Sequence, residues 1–108
     1  MGYRSDVVIA ITKEVKAKVI LLDNKLPELL RNYAEEHIEE TTGVIYYEMC
    51  GVKWYESYPD VIQVVEFLDT LSQEDYHFLR AGEEAPDSET RGNLEAEIYL
   101  ENYISKPY

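Results

Sequence analysis

The run Asp6-Val7-Val8-Ile9-Ala10-Ile11 has no polar position after its first residue. β-branched side chains favour extended backbone. A strand with one wet face would alternate apolar and polar residues, and this one does not. It predicts a strand covered on both faces, or central in a sheet. At 108 residues the chain has length for one domain around such a sheet, and 1–108 is read as a single acidic α+β domain.

The other elements follow from periodicity and punctuation. Thr12 can cap a helix running to about Leu22, with Val15, Val19 and Leu22 on one stripe. Asp23-Asn24 interrupts. Pro27 suits the first turn of a second helix, whose Leu26, Leu29, Leu30, Tyr33, Ala34 and His37 keep i, i+3, i+4 spacing up to Thr41-Thr42-Gly43. The apolar runs 44–49 and 52–56 flank Cys50-Gly51, which reads as a two-residue hairpin connection. That register would place Tyr47 opposite Trp54, Tyr46 opposite Tyr55, and Glu48 opposite Lys53. A helix is expected from Pro59 to about Leu71, a strand over 76–81, and a long exposed loop over 82–93. The stretch 94–103 alternates cleanly, with Leu94, Ala96, Ile98 and Leu100 inward and Glu95, Glu97, Tyr99 and Glu101 outward. The order β-α-α-β-β-α-β-β predicts an α+β fold: a mostly antiparallel sheet of about five strands with helices packed on one face. Its second face would be open to solvent.

Charge narrows the functional classes. Asp and Glu number 22 against 10 Lys and Arg, a formal net charge of −12. A sequence-independent nucleic-acid binder needs the opposite sign to neutralise phosphates, and anionic membrane surfaces are equally disfavoured. The imbalance is uneven: residues 1–32 carry +2 and residues 33–108 carry −14. One cysteine, Cys50, cannot form an internal disulfide. No signal-like segment opens the chain and no apolar run has a membrane span's length, so a cytoplasmic setting is expected.

Catalytic chemistry finds little to work with. Glu36, His37 and Glu40 would lie within about one helical turn, but a carboxylate–histidine metal site needs a second such cluster on a facing element. Cys50 sits among acids, which raise a thiol pKa instead of lowering it. No nucleophile elbow and no phosphate-cradling glycine loop is present. Acid pairs are too abundant for any two to stand out. The expectation is a non-enzyme with no cofactor.

What remains is a surface. Ten tyrosines are a heavy load, and tyrosine covers much contact area while freezing few torsions. The expected open face gathers Tyr46, Glu48, Tyr55, Glu95, Glu97, Tyr99 and Glu101, joined by the loop acids Glu83, Glu84 and Asp87. The partner such a surface fits is a basic one, such as the phosphate-binding channel of a nucleic-acid-handling enzyme. Imitation of DNA meets a density limit. Carboxylates at i, i+2 on a strand stand about 6.6 Å apart, whereas a duplex carries one charge per about 1.7 Å. Several elements would have to contribute to one surface. The alternative is an assembly module that self-associates through its open sheet face or an edge strand, giving a homodimer. A small enzyme or ligand binder using His37, Glu40 or Cys50 comes third.

The opening Gly2-Tyr3-Arg4-Ser5-Asp6-Val7-Val8, followed by Ile9-Ala10-Ile11, resembles the start of small uncharacterised phage and prophage proteins. The resemblance covers about ten residues and carries no catalytic residue. It implies a context in which small acidic proteins inhibit host defence, including restriction and CRISPR systems, in the host cytoplasm. Arg4 and Asp6 themselves are expected to pair as an ion pair where the first strand begins.

Overall fold

The structure, a computed structural model, describes residues 3–21, 26–84 and 87–95. Strand β1 (Ser5–Ile11) lies at its centre, and Val7 to Ile11 are all at most 2% exposed. The unbroken apolar run is covered on both faces. β1 pairs antiparallel with β3 (Ile45–Val52) on one side and β4 (Tyr76–Gly82) on the other. β2 (Glu35–Ile38) and β5 (Ser88–Gly92) flank them, giving the order β2-β3-β1-β4-β5.

Three helices, α1 (Lys13–Leu21), α2 (Glu28–Asn32) and α3 (Pro59–Asp69), pack on one face of this sheet. Val15, Leu30, Val61, Val64 and Leu68 meet the alternate strand residues Val7, Ile9, Ile11, Ile45, Tyr47, Met49 and Phe78. Thr12 caps α1, its Oγ1 accepting the Val15 N–H at 3.2 Å. Pro59 opens α3, where its missing N–H costs nothing. Trp54 closes one end of the core against Phe78, ring centroids 5.7 Å apart. The fold is thus α+β, with an antiparallel sheet of five strands and helices on one face.

The sequence of element types matches expectation, but two of the elements are not the ones expected. Residues 26–37 do not form one helix. α2 ends at Asn32, Tyr33 is 56% exposed, and Glu35–Ile38 forms an edge strand paired with β3. The Thr41-Thr42-Gly43 stretch is a hairpin turn: Glu39 N–H donates to Val44 O at 2.9 Å, and Gly43 takes φ +78° to let the chain reverse. That turn folds 35–38 back onto 45–48, and the strand ladder takes the backbone groups that a longer helix would have used.

Nor is Cys50-Gly51 a hairpin connection. β3 runs straight through it, and the register against β1 slips by one residue between Ser5 and Val7. Gly51 at φ +65° places the extra residue as a β-bulge. A glycine that tolerates left-handed backbone serves a tight turn or a bulge equally well, and here both partners of β3 are strands already. Tyr46 and Tyr55, expected to pair, therefore do not. The stretch 82–93 is not one long loop either: Ser88–Gly92 pairs with β4. The expected strand over 94–103 falls largely outside the described residues; Leu94 N–H bonds to Tyr76 O at 3.1 Å.

Arg4 and Asp6 do not pair with each other. Both grip the bulge instead: Arg4 Nη1 donates to Gly51 O at 2.8 Å, and Asp6 Oδ1 accepts the Gly51 N–H at 2.8 Å.

Candidate binding surface

The sheet face away from the helices is set by the register. β2 contributes Glu35 and His37, β3 contributes Tyr46 and Glu48, β1 contributes Val8 and Ala10, and β4 contributes His77, Leu79 and Ala81. It is not wholly wet as expected. Val8 and Leu79 are each 2% exposed and Ala81 5%, with half-buried Tyr46 packed against them. The polar character is displaced to the β2–β3 side.

There Glu35 stands directly opposite Glu48, and both are exposed. Among the described residues neither carboxylate forms an ion pair with a Lys or Arg. Like charges directly opposed across a ladder are destabilising. The next pair along is His37 opposite Tyr46, ring centroids 6.2 Å apart. So Tyr46 and Glu48 lie where the sequence placed them, on one face. Their neighbours Glu35 and His37 were missed, because helical spacing over 26–37 assigned them to a helix. The Thr-Thr-Gly turn just before the β-branched and aromatic run 44–47 was the one signal that could have found them, since Glu35–Ile38 itself holds a single β-branched residue.

On the other side of β2 the charge is fully used. Glu36 accepts from Lys16 Nζ and from Tyr47 Oη, the latter at 2.7 Å, and Lys16 Nζ also donates to Tyr47 Oη at 2.9 Å. Lys16 and then Tyr47 hold the Glu36 carboxyl below its ordinary pKa. Burial, reinforced by the neighbouring carboxylate, pushes the Tyr47 phenol far up. This trio ties α1 to β2 and β3.

The loop acids sit at the opposite corner, and they are largely committed inside the molecule. Arg80, its side chain only 14% exposed, donates to Asp87 Oδ1 at 2.9 Å, Glu89 Oε1 at 3.0 Å and Ser5 Oγ at 3.0 Å. Tyr3 Oη donates to Asp87 Oδ2 at 2.6 Å and accepts the Glu84 N–H at 3.1 Å. Glu83 accepts the Arg4 N–H at 2.5 Å. Arg80, followed by Tyr3, holds the Asp87 carboxyl below its ordinary pKa. Tyr55 is drawn into the same corner, its Oη accepting the Tyr3 N–H at 2.7 Å while its ring meets Tyr58 edge-on at 5.0 Å. Asp87, Glu83 and Tyr55 therefore brace the N-terminal strap. Of the three loop acids, only Glu84 keeps an exposed carboxylate that no side chain or backbone N–H engages among the described residues. Glu95 is exposed at the far end of β5, and Glu97, Tyr99 and Glu101 lie outside the described residues.

Among the described residues no group of three or more His, Cys, Asp or Glu side chains could hold a metal ion, and no helix is long and apolar enough to cross a membrane. A groove of about 490 Å³ between α1 and α3 is floored by Val15, Val19, Phe67 and Leu71, with Lys18 and Glu66 among its polar residues. Thr70, Ser72 and Asp75 also line it. Comparison with known proteins yields no match to a family model, to a curated protein or to a solved structure.

Proposed function

We propose that this chain is a non-enzymatic, phage-type binding protein that engages a basic surface of a host protein through its acidic sheet corner, with inhibition of a nucleic-acid-handling or defence enzyme as the outcome. The observation that carries this reading is the pair Glu35 opposite Glu48 beside Tyr46, which has no ion-pair partner among the described residues. The protein tolerates a like-charge contact there, while comparable acids around Arg80 are neutralised internally. A partner's Lys or Arg would remove that repulsion on binding. Long-range attraction from a net charge of −12 would speed the encounter. A basic channel that holds DNA is one surface of the right sign.

Self-association through the centre of the open face draws less support. Val8, Ala10 and Leu79 are at most 2% exposed within the single chain, so little apolar area is on offer to a second copy, and like net charges repel. The test is retention of purified restriction nucleases and CRISPR effector complexes on the immobilised protein at about 50 and about 300 mM salt, together with their DNA-cleavage rates. Binding that weakens with salt, inhibits cleavage and is lost in the Glu35→Lys/Glu48→Lys variant is the expected result. Binding indifferent to that double reversal would overturn the proposal.

A further inference from the structure

The outer edge of β2 presents a short, fully exposed strand whose backbone polarity can be assigned. Glu39 N–H donates to Val44 O at 2.9 Å, so 39 and 44 form a hydrogen-bonded pair. Antiparallel ladders alternate such pairs with non-bonded ones. Residues 35 and 37 therefore turn their N–H and C=O groups toward β3, and Glu36 and Ile38 turn theirs outward. Among the described residues no strand pairs with that edge.

The side chains divide just as clearly. Toward the open face the edge shows Glu35 and His37, with Glu48 behind Glu35 and, among the described residues, no Lys or Arg in an ion pair with either glutamate. Toward the helical face it shows Ile38, 55% exposed although its cross-strand neighbour Ile45 is only 4% exposed. Glu36, also on the helical side, is already neutralised by Lys16. An added strand would place its residues alternately beside these two surfaces. A basic residue would answer Glu35 and Glu48, and an apolar one would cover Ile38.

We infer that β2 is a strand-addition site for an extended segment of a partner protein in which basic and apolar residues alternate. The inference rests on the acidic-surface reading above and specifies its mode: main-chain hydrogen bonds to Glu36 and Ile38 supply affinity, and the alternating side chains supply selectivity. A second copy's β2, itself carrying two glutamates, supplies the wrong charge. Short length and charge are also how edge strands avoid pairing with their own kind, and here they leave the edge open to a basic one.

The test uses a fluorescently labelled, capped heptapeptide of alternating lysine and valine and follows its anisotropy on titration with the whole protein. Three perturbations separate backbone pairing from charge attraction. Ile38→Pro removes one outward N–H at a position that needs none for the β3 ladder, where an edge strand accepts proline. A peptide N-methylated at alternate residues keeps its charge but cannot complete the ladder. An alternating glutamate–valine peptide keeps the ladder and reverses the charge. At least tenfold weaker binding is expected in each case, with the circular dichroism of Ile38→Pro matching that of the parent. Equal binding by the N-methylated peptide would overturn strand addition, and equal binding by the glutamate peptide would overturn the preference for a basic strand. If both backbone perturbations are silent while Glu35→Lys/Glu48→Lys still abolishes host-protein binding, strand addition falls and the acidic-surface reading stands. Loss of that reading would instead show in the host-protein assay itself.

Discussion

Two corners of one sheet treat the same residue type in opposite ways. Around β4 and β5, Asp87 and Glu89 converge on Arg80, and Tyr3 adds a second donor to Asp87. Around β2 and β3, Glu35 and Glu48 face each other with no such arrangement. Sequence composition cannot tell these glutamates and aspartates apart, yet one set fastens the N-terminal strap and the other is left facing outward. The difference teaches that the excess negative charge of this chain is not a uniform coat. It includes an internal structural part and an outward-facing part, and only the second is available to a partner.

The comparison breaks first at Arg80. Replacing it by Met keeps the length of the side chain but strands Asp87, Glu89 and Ser5, and a loss of about 2 kcal/mol is expected, read from the urea midpoint. In melting temperature that is a fall of roughly 8–15 °C. An unchanged midpoint would put the Arg80 corner on the same footing as the β2–β3 corner.

Glu36→Gln comes next, at about 1 kcal/mol, through the Lys16 and Tyr47 contacts. It carries a pH signature. The folded Glu36 carboxyl lies below its ordinary value, so its contribution is present above the unfolded carboxylate pKa. It is lost as pH falls through the lower folded value. The gap between parent and variant should therefore be full at pH 7 and close progressively below about pH 5. A gap that widens on acidification would contradict the assigned hydrogen bonds.

Gly51→Ala tests whether the bulge truly needs left-handed backbone. Its Cβ would meet only Arg4 Cδ at 3.9 Å, so the cost is conformational, about 1 kcal/mol. The smallest effect has the opposite sign. Glu48→Lys converts the opposed pair with Glu35 into an attractive one and should stabilise the protein by about 0.5 kcal/mol, while weakening binding to a basic partner. Stabilisation and loss of binding from one substitution is the pattern expected where a fold gives up stability to keep a surface.

How far these corners could be read from sequence follows the strength of the local pattern. β1, α1, α3 and β4 came out of apolar runs and helical spacing because each buries its own stripe, as Val15, Val61, Val64, Leu68 and Phe78 do. The β2 edge did not, because every residue of Glu35–Ile38 is exposed and periodicity has no buried stripe to report. β5 is the same case: Ser-Glu-Thr-Arg-Gly is held by the β4 ladder and by Glu89 against Arg80, and neither is visible in the order of residues. Tyr46 and Glu48 were placed on the correct face through a mistaken hairpin, since alternation survives even when the partner strand is wrong. The commitments of Asp87 and Glu83 are not legible in the sequence, because their donors lie more than seventy residues away or on the neighbouring strand β4.

The central position of β1 has a consequence for synthesis. Both of its neighbours come later in the chain, and β4 begins 65 residues after β1 ends. At roughly 5–20 residues per second of translation, the most apolar segment of the protein waits roughly 3–13 s for its second partner. During that interval Val7–Ile11 is a sticky strand with an open edge. α1, which follows at once and carries Lys13, Lys16 and Lys18, is the first cover the nascent chain can offer it.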